Sequence, residues 1–124
     1  MRKQINTNYR DTEMSHILKN TETIALIGAS AKPERDSYKV MAYLIEQGYK
    51  VFPVNPQLKG QKIQGCEVYG GLEDIPVAID MVDVFRQSKY LYDIVVAAKK
   101  GHVKFIWAQQ GVSDTQAELL ALKY

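Results

Sequence analysis

The chain has 124 residues, a formal net charge of +2, 46% hydrophobic and 24% charged residues. That is enough for one domain with its own core, in an ordinary globular composition. It leaves no apolar run long enough to span a membrane, and too little positive charge to argue for nucleic acid.

The single cysteine, Cys66, excludes an internal disulfide and fits a reducing cytoplasm. The polar, charged start from Arg2 onward does not read as a signal peptide. Met1 to Tyr9 reads as a polar arm, and Asp11 to Lys19 as a short helix with Met14, Ile17 and Leu18 on one face. Residues 1–20 are thus expected to pack as an arm and helix on a domain formed by residues 21–124. His16 on that helix reads as a surface or packing residue.

Thr23 to Ile27 reads as the first main strand, and Ile24 to Ile27 is a continuous apolar run, the pattern of a parallel strand covered on both faces. Gly28, Ala29 and Ser30 follow with almost no side-chain bulk, which suits a backbone that comes close to a ligand. Lys32, Arg35 and Ser37 add charge and a hydroxyl, and Asp36 or Ser37 is expected to cap the next helix, whose start favours an anion. This stretch is where a phosphate group is expected. It is not the dinucleotide fingerprint, because Ser30 and Pro33 stand where glycines would be needed, and no G-K-[ST] makes it a P-loop.

Ser37 to Gln47 reads as that helix, with Val40, Met41, Leu44 and Ile45 inward and Gly48 as its stop. Tyr49 to Val54 is the second strand and closes a βαβ unit. An NAD-binding protein places an acid near the end of this strand. Here no acidic residue occurs between Glu46 and Glu67, whereas Lys50, Lys59 and Lys62 do. Val54, Asn55, Pro56 and Lys59 therefore suit a nucleotide with an extra phosphate on its ribose, which points to coenzyme A or, second, NADP.

Gln61 to Gly71 reads as a connection with a short strand at Val68-Tyr69, and Leu72 to Pro76 as one helical turn. Ile79 to Phe85 reads as the next strand and ends in Phe85-Arg86. Ser88 is expected to cap a helix from Lys89 to Lys100, ended by Gly101. Val103 to Ala108 is the fourth main strand, running through Trp107 to Gln109. Ser113 to Gln116 reads as a capping box for a last helix. The alternation predicts a single three-layer, doubly wound α/β domain with a mostly parallel sheet, its ligand at the carboxyl ends of the strands.

The run Gly28-Ala29-Ser30, Pro33, Arg35, Ser37 and Val40 is followed by Pro53-Val54-Asn55-Pro56, Asp74-Ile75-Pro76, Asp80 to Arg86, and Trp107 with Gln109 and Gly111. Together these resemble the small CoA-binding proteins, whose Rossmann-like domain is similar to the CoA-binding part of the succinyl-CoA synthetase α subunit. The resemblance implies that coenzyme A or an acyl-CoA is the ligand. Gly28, Ala29 and Ser30 would meet its phosphates with their backbone, and Arg35 and Ser37 would contact phosphate. Val54, Asn55 and Pro56 would line the adenosine, with Lys59 near the ribose phosphate. Phe85 and Arg86 would flank the ligand, and Trp107 to Gln109 would close the fourth side. Members of the family usually continue past the last helix into a glycine and a short strand. The sheet edge here is therefore expected to be open, or covered by a second copy or another protein.

No catalytic set accompanies these residues. Cys66 has no paired base, His102 falls at the wrong end of its strand, and Asp80 and Asp83 do not point the same way along a strand. No metal-ligand spacing occurs. The expected function is ligand binding without catalysis, in the cytoplasm. The alternatives are an NADP-binding reductase-like domain and a regulatory interaction protein with a degenerate pocket.

Overall fold

Apolar β-branched and aliphatic residues build the centre of the molecule. The computed structural model describes residues 19–86 and 88–108. The expected amino-terminal arm and helix, His16 included, lie outside the described residues, as do Gln109 and the last helix. Strand β1 is Thr23–Ile27, and its last four residues are buried. Helix α1 is Asp36–Glu46, followed by β2 at Lys50–Val54. A two-residue pair, β3 at Lys62–Ile63 and β4 at Cys66–Glu67, comes next. Strand β5 is Met81–Val84, α2 is Leu91–Lys100 and β6 is Phe105–Ala108.

The main sheet has the order β2-β1-β5-β6, and each neighbouring pair is parallel. Its side chains alternate between two covered faces. Ile24, Leu26, Val51, Met81 and Trp107 pack with Met41 and Leu44 of α1. Ala25, Ile27, Val82 and Val84 pack with Leu91, Val95 and Ala98 of α2. The expected three-layer Rossmann-like arrangement is therefore present. No helix among the described residues is long and apolar enough to cross a membrane.

Several boundaries differ from the sequence reading for identifiable reasons. Arg35, in extended conformation, occupies the cap position of α1 without a side-chain cap bond, so Asp36 is the first helical residue and Ser37 is buried behind it. The 3-10 turn Ser88–Tyr90 precedes α2, which places Tyr90 rather than Ser88 at its cap. Pro53 is tolerated inside β2 because its carbonyl, and so the side on which its N–H is missing, faces outward. There only Tyr69 pairs with the strand, donating its N–H to the Pro53 carbonyl at 2.9 Å. The expected strand at Val68-Tyr69 is reduced to one parallel bridge between Val54 and Tyr69. The β3–β4 hairpin turns on Gln64 and Gly65, with φ of 49° and 83°. Two positive φ values in a two-residue loop match the strand twist. The Gln64 amide donates to the Tyr38 carbonyl at 3.0 Å and docks the hairpin on α1.

Asp80 ties the amino ends of the strands together. Its carboxylate accepts the N–H of Glu22 at 2.8 Å and of Thr23 at 3.2 Å, and pairs with Lys104 at 3.5 Å. Burial alone raises the Asp80 carboxyl, but the two N–H groups and the Lys104 ammonium outweigh it and hold the carboxyl below its ordinary value. A depressed folded-state value gives stability that is complete above the unfolded value of about 3.9 and is lost as pH falls through the folded one. Asp80→Ala is therefore expected to cost about 1–3 kcal/mol at pH 7. The difference from the parent is expected to shrink in thermal melts as pH falls through that lowered folded-state value. A pH-independent difference would remove the charged form from this role.

Candidate functional site

The chain leaves β1 toward β2 on one side and reaches β6 from β5 on the other, so the carboxyl ends of β1 and β5 mark the point where loops diverge and a crevice opens. Gly28 is the hinge of this point. Its φ is +90°, and a Cβ there would lie 3.1 Å from the backbone carbon of Phe85 and 3.2 Å from Cδ of Arg86. Only a glycine fits, which brings the β1 and β5 loops into contact.

The N–H groups of Gly28 and Ala29 both donate to the Val54 carbonyl, at 3.0 and 3.1 Å. They join the β1 and β2 loops and are already occupied. Ser30 and Ala31, by contrast, make no backbone hydrogen bond through their N–H groups among the described residues. The Ser30 hydroxyl accepts the Lys32 N–H at 3.1 Å and shapes the turn. Asn55 ties the loops further: its side-chain amide donates to the Ala29 carbonyl at 2.8 Å, and its oxygen accepts the Gln57 N–H at 2.9 Å. Both ends of this side chain hold the loop in place.

Two adjoining cavities open between these loops. The larger, about 820 Å³, lies over the β1 loop, the Asn55–Leu58 turn and the start of the β5 loop. Among the described residues Lys32, Arg35 and Arg86 line it, and no carboxylate does. None of these three cations makes an ion pair among the described residues. The smaller, about 330 Å³, is mostly apolar and lies between α2 and residues 70–73. Gly28, Pro56, Arg86 and Tyr90 border both. The Arg86 guanidinium lies 4.1 Å from the centre of the Tyr90 ring, and the Lys89 ammonium 5.2 Å from it, so this ring gathers positive charge at the shared wall.

The structure brings most of the expected site residues to the larger cavity. Gly28, Ala29, Ser30, Lys32 and Arg35 line it from β1, Asn55 and Pro56 from β2, and Phe85 and Arg86 from β5. Val54 lines the smaller one. Lys59 lines neither, and its stem lies across Gly70, 3.2 Å from where a Cβ would be. Ser37 is buried in α1. Trp107 is 3% exposed in the α1-side core, and its indole N–H has no hydrogen-bond partner among the described residues. Gln109 lies outside the described residues.

Sequence reasoning missed Tyr90, Gly70, Gly71 and Glu73, which border these cavities. The Gly70-Gly71 pair was the available signal, since paired glycines mark close approach of backbone. Cys66 is half-buried on β4, and burial pushes its thiol up, so it stays protonated and poorly nucleophilic. Among the described residues no cluster of three or more His, Cys, Asp or Glu is placed to hold a metal ion.

Comparison with known proteins agrees with this architecture. A family model described as a CoA binding domain matches residues 22–124. The uncharacterized protein YneT of Bacillus subtilis (strain 168) is 32% identical over 105 residues, covering 85% of this chain and 76% of that one. The acetate–CoA ligase (ADP-forming) I subunit alpha of Pyrococcus furiosus is 35% identical over 93 residues, covering 70% of this chain; the match spans only 20% of the ligase subunit. A solved structure of a hypothetical protein from Pyrococcus horikoshii OT3 superposes with a TM-score of 0.88 at 38% identity, covering 93% of this chain and 80% of that one.

Proposed function

The chain belongs to the CoA-binding domain family, and from that premise we propose that it binds coenzyme A or an acyl-CoA in the larger cavity, without catalysing a reaction of its own. The observation that carries this reading is the charge of the cavity: among the described residues, three cations without an ion pair line it and no carboxylate does. Such a lining concentrates an anion and leaves it uncontested. The free N–H groups of Ser30 and Ala31, with Arg35 and Arg86, are the groups that meet the pyrophosphate. Asn55 and Ser30 hold those loops in shape. Pro56 faces the ribose, and Lys59, across Gly70, reaches the ribose phosphate. The matching part of the Pyrococcus furiosus subunit belongs to an enzyme named for ligating acetate to CoA, which supports the same ligand here. The ligase's chemistry does not transfer, because the chain spans a fifth of that subunit. A protonated Cys66 likewise offers no nucleophile, and a single reduced thiol suits the cytoplasm.

A thermal-shift comparison tests the reading. A ligand that binds only the folded state adds about 2.7 kcal/mol at a hundredfold excess over its Kd, which is on the order of 10 °C for a domain of this size. CoA is expected to give that shift, and NADP none. Dephospho-CoA is expected to bind about tenfold more weakly, for the loss of one charge-assisted contact at Lys59. Equal binding of CoA and dephospho-CoA would remove Lys59 from the site. A shift with NADP and none with CoA would overturn the reading.

A further inference from the structure

Arg86 is half-buried, and it makes no ion pair among the described residues. Two contacts set its path instead. Its stem runs over Gly28, where a Cβ would meet Arg86 Cδ at 3.2 Å. Its guanidinium carbon ends 4.1 Å from the centre of the Tyr90 ring. Tyr90 itself is 37% exposed and belongs to neither hydrophobic core. It stands at the cap position of α2 but makes no side-chain cap bond there. Packing and capping therefore leave this exposed ring unexplained.

We propose that Tyr90 is a positioning residue for phosphate binding, whose ring holds the Arg86 guanidinium in place before the ligand arrives. The proposal rests on the CoA reading and adds the residue that orders one of its arginines. A long side chain loses rotamer freedom when it grips a ligand, and a contact that orders it beforehand removes part of that cost. A ring does so without competing for the ligand. A carboxylate would pair with the N–H edge that a phosphate uses. A ring meets the face of the planar group and leaves the N–H groups in its plane available. Tyr90 and Arg86 also stand on the wall shared by the two cavities, so the ordered group faces a ligand that occupies both. The Lys89 ammonium lies farther from the ring, at 5.2 Å, on an exposed residue, so the effect runs through Arg86.

A double-mutant cycle read by calorimetric titration with CoA tests this. Tyr90→Leu is expected to weaken CoA binding about three- to tenfold, the scale of one cation–π contact with the ordering of one long side chain. Tyr90→Phe keeps the ring and loses only the hydroxyl, and is expected to bind within about twofold of the parent. In an Arg86→Ala background, Tyr90→Leu is expected to change affinity by less than about twofold, because nothing is left to position. An equal loss in both backgrounds would overturn the proposal, since the ring would then act on the ligand or the fold and not on the arginine. So would a Tyr90→Leu protein that binds as tightly as the parent, or a loss in Tyr90→Phe as large as that in Tyr90→Leu. The unsubstituted protein supplies a check that needs no variant to fold. Its Arg86 side-chain protons are expected upfield of their ordinary NMR positions, through the Tyr90 ring current, both with and without CoA. Ordinary positions in either state would overturn the proposal and leave the CoA reading intact. Failure of the parent to bind CoA at all would overturn both.

Discussion

Replacing Arg35 and Arg86 together by alanine is expected to weaken CoA binding by at least about a hundredfold while the fold persists. Each guanidinium lines the basic cavity from a different loop, Arg35 just before α1 and Arg86 just after β5. Neither makes an ion pair among the described residues, so each is available to a phosphate. A hydrogen bond to a charged group contributes about 1.5–3 kcal/mol, and two of them exceed the roughly 2.7 kcal/mol that corresponds to a hundredfold. The structural cost is small. Arg35 is exposed, and Arg86 loses a contact with the Tyr90 ring that is worth about 0.5–1 kcal/mol at an exposed site. Calorimetric titration reads the affinity, and a thermal melt of the free protein confirms the fold. Lysine at both positions is expected to recover part of the loss, because charge returns but the planar fork does not. A double variant that binds within threefold of the parent would place the phosphates elsewhere.

Gly28→Val is expected to cost stability and binding together. A β-branched residue at a φ of +90° is strained whatever the space around it. The space is absent as well, since the added Cβ would press on the Phe85 backbone at 3.1 Å rather than on the tip of a flexible chain. Strain and contact together are expected to cost about 3 kcal/mol, or on the order of 10 °C in Tm. Any relaxation moves Phe85 and Arg86, so CoA affinity is expected to fall even at temperatures where the variant is folded. Gly48 has a similar φ, of +95°, but open space around its Cβ position. Gly48→Ala is therefore the control: it carries the conformational strain without touching the site, and its CoA affinity is expected to be unchanged. A Gly28→Val protein that melts within 2 °C of the parent would contradict this account of the hinge.

The legible parts of the sequence were those where one physical signal dominates. Ile24 to Ile27 is apolar at every position because both faces of β1 are covered, and no amphipathic helix carries that pattern. The small residues after it, and the acid-free turn after β2, line the basic cavity. The short hairpin was missed because its strands have two residues each and its turn is Gln64-Gly65, not the usual Asn-Gly. The start of α2 was misplaced because Ser88 is a good cap by composition, while the chain winds through one 3-10 turn first. The structure shows Asp80 tying the start of β1 to Lys104 just before β6.

The site shows a finer limit. Small side chains at Gly28 and Ala29 promised free N–H groups, but the Val54 carbonyl, distant in sequence, takes both. Asn55 promised a ligand contact by its chemistry, yet both ends of its side chain are held by the protein. Trp107 stands beside Asp83, which stands beside Leu26, and that register carries the indole into the α1-side core. The smaller cavity is assembled from Val54, the Gly70–Glu73 segment and α2, three stretches that only the strand order brings together. Hydrogen bonds and cavities of this kind depend on tertiary placement, which a local pattern does not contain.

The most direct test of the central claim is a calorimetric titration of the protein with CoA, repeated at two salt concentrations. Saturable binding of one CoA per chain that weakens as salt rises is the predicted result, because the cavity is held to act through cations on phosphates. No heat and no saturation with CoA, or binding indifferent to salt, would contradict it.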